Sequence, residues 1–257
     1  MTIAFLTSFY PYISRPENHP IFKRLQDDKV DIVIIATKKS FRNILKELKK
    51  YSLLYLFQKT LKKIFFKVFL SFRLYYNKKG YKKENGKKNG RVFIVKNQNS
   101  KKCENILKDI KTDLLVLFGT GIIKKHILDI PKFGCIGTHY GMLPKYRGMN
   151  VTEWAVFYGD LVGISIFFVN EKIDTGNIIA TQEIPIERGD TIKSLREKSN
   201  IVSNQLLLQV LKKMIKNNGK ISFHPQEINE GKQYFVMHPR LRAIVESKLE
   251  VIKSSYL

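Results

Sequence analysis

Residues 113–148 read DLLVLFGTGIIKKHILDIPKFGCIGTHYGMLPKYRG, and the fold is decided here. Asp113–Phe118 is a short continuous apolar run, the pattern of a strand buried on both faces of a parallel sheet. Phe133–Ile136 is a second strand-like run, and His139 lies just beyond it. Leu143–Gly148 then follows as a rigid, turn-rich loop.

Outward from this stretch the same alternation recurs. Ile3–Thr7, Asp31–Thr37 (DIVIIAT) and Arg91–Lys96 (RVFIVK) read as further strands, and Lys102–Ile110 as a short helix. Strands alternating with helices imply βαβ units and an α/β, Rossmann-like doubly wound sheet. Gly163–Val169 and Ile178–Ile186 look like an antiparallel pair or meander. Thr152–Gly159 reads as a helix, and Asp190–Asn217 as a long one. Asp190 or Thr191 would cap the long helix, and Asn218-Gly219 would stop it. The tail holds a strand-like ISFHP and a short helix, Arg240–Lys253. The expected organisation is a catalytic domain over 1–217, carrying a basic helical insertion at about 40–90, and a short C-terminal extension over 218–257.

Composition bounds the rest. The 257 residues, 44% hydrophobic and 26% charged, suit a globular chain with a sizeable core. No apolar run reaches the roughly 18 to 20 residues of a transmembrane helix. The N-terminus lacks the basic region and cleavage site of a secretory signal, so a cytoplasmic protein is expected. Cys103 and Cys135 are too few for a disulfide framework or a thiolate zinc site, and no metal is expected.

The net charge of +24 is local. Between Lys38 and Lys102 stand 21 Lys and Arg against Glu47 and Glu84, which puts +19 there and leaves +5 for the rest. Apolar residues recur at helical spacing over 40–76 beside a row of lysines, and 77–90 (NKKGYKKENGKKNG) reads as a surface loop. Three readings compete: a helix pair packed on the domain with a solvated basic face, peripheral contact of 40–76 with the inner face of an anionic membrane or with a phosphate-bearing substrate, and nucleic acid.

No G-x-G-x-x-G follows the first strand and there is no Walker loop, so the usual pyrophosphate cradles are missing. What the chain has is a His just past a strand and an Asp in a tight turn, Ile173-Asp174-Thr175-Gly176, just past another. A His and a carboxylate from two strand ends can form an acid/base pair near neutral pH. The alternative on spacing alone is a structural His139 and a turn-capping Asp174.

Gly137-Thr138-His139, Leu143-Pro144-Lys145-Tyr146-Arg147-Gly148 and Asp174-Thr175-Gly176, in this order and spacing, resemble the hallmarks of the folate-dependent formyltransferases. The resemblance covers roughly 111–217. It implies the formyltransferase fold, N10-formyltetrahydrofolate as formyl donor, and an amine as acceptor. It implies that His139 and Asp174 are catalytic, His139 stabilising the oxyanion or relaying a proton and Asp174 orienting it. It places the cofactor on the turn Gly119, Thr120, Gly121 and Ile122 and on the loop carrying Asn170 and Asp174. Two positions depart from the family pattern: Gly137 stands where an Asn usually precedes the His, leaving Thr138, a backbone N–H or Asn150 to take over, and Asn170 stands where an Asp is frequent.

Within the family, the chain looks most like the nucleotide-sugar N-formyltransferases of surface-polysaccharide (O-antigen, lipopolysaccharide) biosynthesis. The helix over Thr152–Gly159 and the tail Tyr234–Arg242 carry that likeness. The basic segment lies before the catalytic motifs, and about 40 residues follow Asn217, against the roughly 100-residue second domain of methionyl-tRNA formyltransferase. The implied acceptor is an amino-dideoxyhexose on dTDP or GDP, with dTDP-4-amino-4,6-dideoxyglucose first. Tyr146, Arg147, Glu153 and Trp154 are its candidate contacts, with loop anchoring the alternative for Arg147 and core packing for Trp154. A methionyl-tRNA formyltransferase-like enzyme and a non-catalytic binding domain are the alternatives. Nucleic acid is not expected as a partner, and a homodimer is left open.

Overall fold

The structure, a computed structural model, describes residues 1–8, 20–25, 30–37 and 91–254. The expected basic helices over 40–76 and the loop after them lie outside the described residues. Met1–Thr37 and Gly90–Leu257 belong to one compact unit.

The strands are β1 (Thr2–Thr7), β2 (Asp31–Thr37), β3 (Arg91–Val95), β4 (Leu114–Phe118), β5 (Cys135–His139), β6 (Tyr146–Gly148), β7 (Gly163–Phe168), β8 (Ile178–Glu183) and β9 (Lys232–Tyr234). The helices are α1 (Pro20–Leu25), α2 (Lys101–Asp109), α3 (Lys125–Leu128), α4 (Val151–Tyr158), α5 (Ile192–Lys216) and α6 (Pro239–Ser254). A seven-stranded sheet has the order β3-β2-β1-β4-β5-β7-β8, and β6 pairs with β9 in a small second sheet. Strands β1 to β5 run parallel, with Ile3 opposite Ile32 and Leu115 opposite Cys135. Strands β7 and β8 are antiparallel additions.

Alternation along the parallel strands divides the core in two. Ile3, Phe5, Ile32, Ile34, Leu114 and Val116 face one layer, which Leu206, Leu207 and Leu211 of α5 and Val245 and Leu249 of α6 complete. Ala4, Leu6, Val33, Ile35, Leu115 and Leu117 face the other, with Cys103 and Leu107 of α2 and Ile127 of α3. A period of two with both faces apolar is what a doubly wound sheet needs. Each fully buried Leu or Ile contributes about 1.5–3 kcal/mol.

Three details differ from the sequence expectation. The strand expected at Phe133–Ile136 begins two residues later and includes His139, because Gly134 turns the chain at φ 80°. ISFHP is not a strand: His224 alone bridges to Ile178, and Pro225 has no N–H to continue a ladder. Residues 218–257, expected as a short extension, pack into the main unit. They supply β9 and α6, and Met237, Val245 and Leu249 are buried in the core.

Candidate active site

His139 ends β5 and is 7% exposed. Its Nε2 lies 2.7 Å from the Tyr146 carbonyl oxygen. A carbonyl only accepts, so Nε2 carries a hydrogen and donates. Nδ1 lies 3.4 Å from Asp174 Oδ2, in ion-pair range but looser than a well-formed hydrogen bond. The loop that brings the Tyr146 carbonyl round is pinned to β7: Ser165 Oγ accepts from Leu143 N–H at 3.0 Å and donates to Gly141 O at 2.7 Å. Gly141 is needed in that loop, since a Cβ there would stand 2.9 Å from His139 Nε2.

Asp174 does not sit at a strand end equivalent to that of His139. Strand β7 runs antiparallel to β5, so its carboxyl end, Phe168, lies opposite Ile136. Asp174 reaches His139 because the loop after β7 folds back, with Asp174 in the left-handed region at φ 52°. Five hydrogen bonds hold this loop and its carboxylate there. Its Oδ2 accepts from Gly148 N–H at 2.8 Å. Asn170 Oδ1 accepts from Lys172 N–H and the Thr175 hydroxyl, closing the loop on itself. Gln226 Nε2 donates to the carbonyls of Asp174 and Gly176. Arg147 in turn holds Gln226, donating to its Oε1 at 3.2 and 3.1 Å and to Glu227 O at 3.0 Å. Gln226 was not singled out by sequence, because a lone Gln some fifty residues past the motif carries no local signal.

His139 opens onto a cleft of about 760 Å3. Its walls come from the start of α4 (Asn150, Glu153), the first turns of α5 (Lys193, Arg196, Asn200) and α6 (Arg242, Glu246). Of the four residues expected to meet an acceptor, only Glu153 lines this cleft. Tyr146 is buried, and its hydroxyl donates to Asp160, which Lys145 also pairs at 2.7 Å. Burial first, and then that hydrogen bond, push the Tyr146 phenol upward. Arg147 is buried on Gln226. Trp154 donates its indole N–H to Phe235 O at 3.0 Å, stacks with Tyr158 and lies tilted against Tyr234.

Gly137 shares a sheet face with His139, and a Cβ there would meet Val169 at 3.0 Å. Strand alternation turns Thr138 to the opposite face. Asn150 lines the cleft in the left-handed region at φ 53°. Its Nδ2 donates to Glu153 Oε1, and its Oδ1 accepts from Met237 N–H and Arg242.

The turn after β4 lies at the same sheet edge as His139, since β4 and β5 are parallel and Leu117 pairs Gly137. Gly119 has φ 60°, Gly121 has open space around it, and Ile122 is 71% exposed. A hollow of about 580 Å3 joins Ile122 and Ile123 to Glu171 of the loop after β7. An open glycine turn beside an exposed apolar side chain fits a flat heterocycle such as a pterin. Of the residues expected to meet the cofactor, Ile122 lines this hollow; Gly119, Thr120, Gly121, Asn170 and Asp174 do not, and Asn170 closes its own loop.

Among the described residues, no group of three or more His, Cys, Asp or Glu is placed to hold a metal ion, and no helix is long and apolar enough to cross a membrane. Burial pushes the Cys103 thiol up to about 11, and burial with the nearby Asp129 pushes Cys135 up to about 12, so neither is a nucleophile at neutral pH.

Among known proteins, methionyl-tRNA formyltransferase of Thermodesulfovibrio yellowstonii is 35% identical over 138 residues, covering 49% of this chain and 44% of the relative. The chain thus spans less than half the length of that relative. A sugar N-formyltransferase from Shewanella sp FDAARGOS_354 has the same fold, with TM-score 0.60 and 16% identity over 97% of this chain and 87% of that one. The formyltransferase PseJ from Anoxybacillus kamchatkensis, solved with UDP-4,6-dideoxy-4-formamido-L-AltNAc and tetrahydrofolate, gives TM-score 0.51 and 16% identity over 92% of this chain and 86% of that one. The family model described as Formyl transferase matches residues 22–211, a span that takes in His139, the cleft wall of α4 and the Asp174 turn alike, and the chain belongs to that family.

Proposed function

We propose that this chain transfers the formyl group of N10-formyltetrahydrofolate to the amine of a nucleotide-linked amino-dideoxyhexose, with dTDP-4-amino-4,6-dideoxyglucose as the first candidate. The observation that carries the reading is the setting of His139 in the cleft wall, Nε2 spent on a backbone carbonyl and Nδ1 facing Asp174. With its hydrogen on Nε2, a neutral ring presents a lone pair at Nδ1 and is a base there.

The bound folate supplies an electrophilic formyl carbon. As the acceptor nitrogen's lone pair closes the new C–N bond, His139 Nδ1 takes the proton that nitrogen loses, and the Asp174 carboxylate balances the resulting imidazolium. The same proton passes to the folate nitrogen as its bond to the formyl carbon breaks, leaving tetrahydrofolate and a formamide. A positioned base of this kind is worth about 100- to 10,000-fold. With no side chain at Gly137, the Asn150 amide, which has a second N–H beside the one given to Glu153, is the proposed donor to the formyl oxygen. Gly119–Ile122 and the 169–174 loop are the proposed folate contacts.

The sugar reading draws on the motif pattern around His139 and on a shared fold along 97% of the chain with a sugar N-formyltransferase. The 35% identity to a methionyl-tRNA formyltransferase over 49% of the chain favours a second reading, with methionyl-tRNA as acceptor. Purified protein with N10-formyltetrahydrofolate should add one formyl mass to one of a panel of dTDP- and GDP-amino-dideoxyhexoses and leave charged methionyl-tRNA untouched. Formylation of the tRNA alone reverses the assignment. Tetrahydrofolate binding with no product from either acceptor class makes the chain a binding domain.

A further inference from the structure

Within the cleft wall stands a carboxylate only half provided for. Glu153, on the first turn of α4, is 3% exposed. Its Oε1 takes both the Arg196 guanidinium and the Asn150 amide, while Oε2 is enclosed and has no hydrogen-bond partner. An enclosed carboxylate oxygen without a donor is costly, so such a group calls for an occupant. The two halves of the ion pair differ in freedom: the Glu153 side chain is 4% exposed and that of Arg196 is 50% exposed. Arg196 reaches in from α5, and it is the member that can turn outward into the cleft.

We propose that Glu153 reads the acceptor, its Oε2 accepting an N–H or O–H from a polyhydroxylated amine while Arg196 swings aside to admit it. This rests on the cleft being the acceptor site of the formyl transfer proposed above. The carboxylate suits donors only, so it selects an amine flanked by hydroxyls and disfavours an acceptor that presents a carbonyl or an anion at the same place. Anions fall to the outer wall, where Lys193 and Arg242 stand. Because His139, Asn150 and Glu153 line the same cleft, a ligand on Glu153 is held in the space onto which His139 opens.

The test uses the full chain, the panel of nucleotide-linked amino-dideoxyhexoses, and two variants. Glu153→Gln keeps the side-chain shape and is expected to raise the acceptor KM about 10- to 100-fold, the worth of a hydrogen bond to a charged group. Tetrahydrofolate affinity should stay within twofold and kcat within about threefold. Arg196→Met removes the movable cover and is expected to lower the acceptor KM. A purely structural ion pair predicts the same loss for both variants, with a matching fall in melting temperature. The proposal is overturned if Glu153→Gln leaves the acceptor KM within threefold, or if Arg196→Met reproduces its effect. Formylation by the unmodified chain with a silent Glu153→Gln sinks this proposal alone. Folate binding without binding or formylation of any panel member sinks the functional reading along with it.

Discussion

Replacing Gly176 by Ala, a change of one methyl group, should disable the site from outside it. A Cβ at Gly176 would stand 1.6 Å from the Phe168 carbonyl oxygen and 2.8 Å from its carbon. Phe168 cannot retreat: its N–H is bonded to Asn177 O at 2.8 Å, and the next N–H to Cys135 O at 2.8 Å, inside the sheet. The turn must therefore give way by about 1.4 Å to reach a tolerable 3.0 Å. That turn carries Asp174, whose carboxylate sits 2.8 Å from Gly148 N and 3.4 Å from His139 Nδ1. A shift of even 1 Å breaks the first contact and takes the carboxylate away from the His139 ring, and misplacement on that scale costs about 100-fold in rate. The assay is formyl transfer, read as tetrahydrofolate release under saturating acceptor, with thermal melting alongside. Overpacking should cost about 1–3 kcal/mol, a drop of several degrees, while the chain stays folded at 25 °C. Gly189→Ala is the control, since a Cβ there meets nothing within 4 Å; it should keep full activity and melt no lower. Activity of Gly176→Ala within threefold of the unmodified chain would refute the reasoning, because Asp174 would then not need its observed place.

His139→Ala and Asp174→Asn should each slow transfer by about 100- to 10,000-fold, and the double variant by little more than the worse of the two, as expected for groups acting as a unit; additive losses in single-turnover rates would dissolve the pairing. Arg147→Met should cost about 1–3 kcal/mol in chemical denaturation by leaving Gln226 Oε1 without its donor, and should lower kcat while tetrahydrofolate affinity holds; a rise in acceptor KM alone would mean that Arg147 touches the acceptor after all. Burial alone would raise the Asp190 carboxyl, but hydrogen bonds from Lys198, Glu187 N–H and Ser194 outweigh it and hold the group below the usual carboxylate range. With the folded value below the unfolded one, its stabilisation is complete above about pH 4 and fades as pH falls through the folded value. The melting temperatures of Asp190→Asn and the unmodified chain should accordingly differ at pH 7 and draw together as pH falls below the ordinary carboxylate range, and a constant gap would remove Asp190 from the acid sensitivity.

Much of the sheet was legible because burial on both faces writes itself as continuous apolar runs: DIVIIAT is β2 residue for residue. The long helix was legible from its ends, Thr191 exchanging hydrogen bonds with Ser194 as a capping box and Gly219 turning at φ 85°. Three-residue strands carry no period to read. The pairing of β6 with β9, Tyr146 opposite Lys232, depends on Gly148 and Gly231 letting backbones approach, which only the folded chain shows. At the site, His139 and Asp174 were visible as motif residues. What holds them was not: a carbonyl, a backbone N–H and a Gln leave no signature in residue type. Tyr146, Arg147 and Trp154 look like ligand-facing side chains in sequence because polar and aromatic residues near a motif suggest contact. Each is instead satisfied by a partner from elsewhere in the fold, Asp160, Gln226 and Phe235.

The clamp on the Asp174 turn and the outer wall of the cleft come from Gln226, Arg242 and Glu246, well downstream of the His139, Leu143–Gly148 and Asp174 motifs. During synthesis the polypeptide therefore displays its full set of hallmarks long before it owns a working centre. A ribosome stalled ahead of Gln226, or a gene cut there, yields a product that any motif search would score as intact and that has neither a fixed carboxylate nor a closed cleft. Residues 226–246 act as a completion check, and proteolysis just ahead of Gln226 should silence the protein while leaving its signature sequence whole.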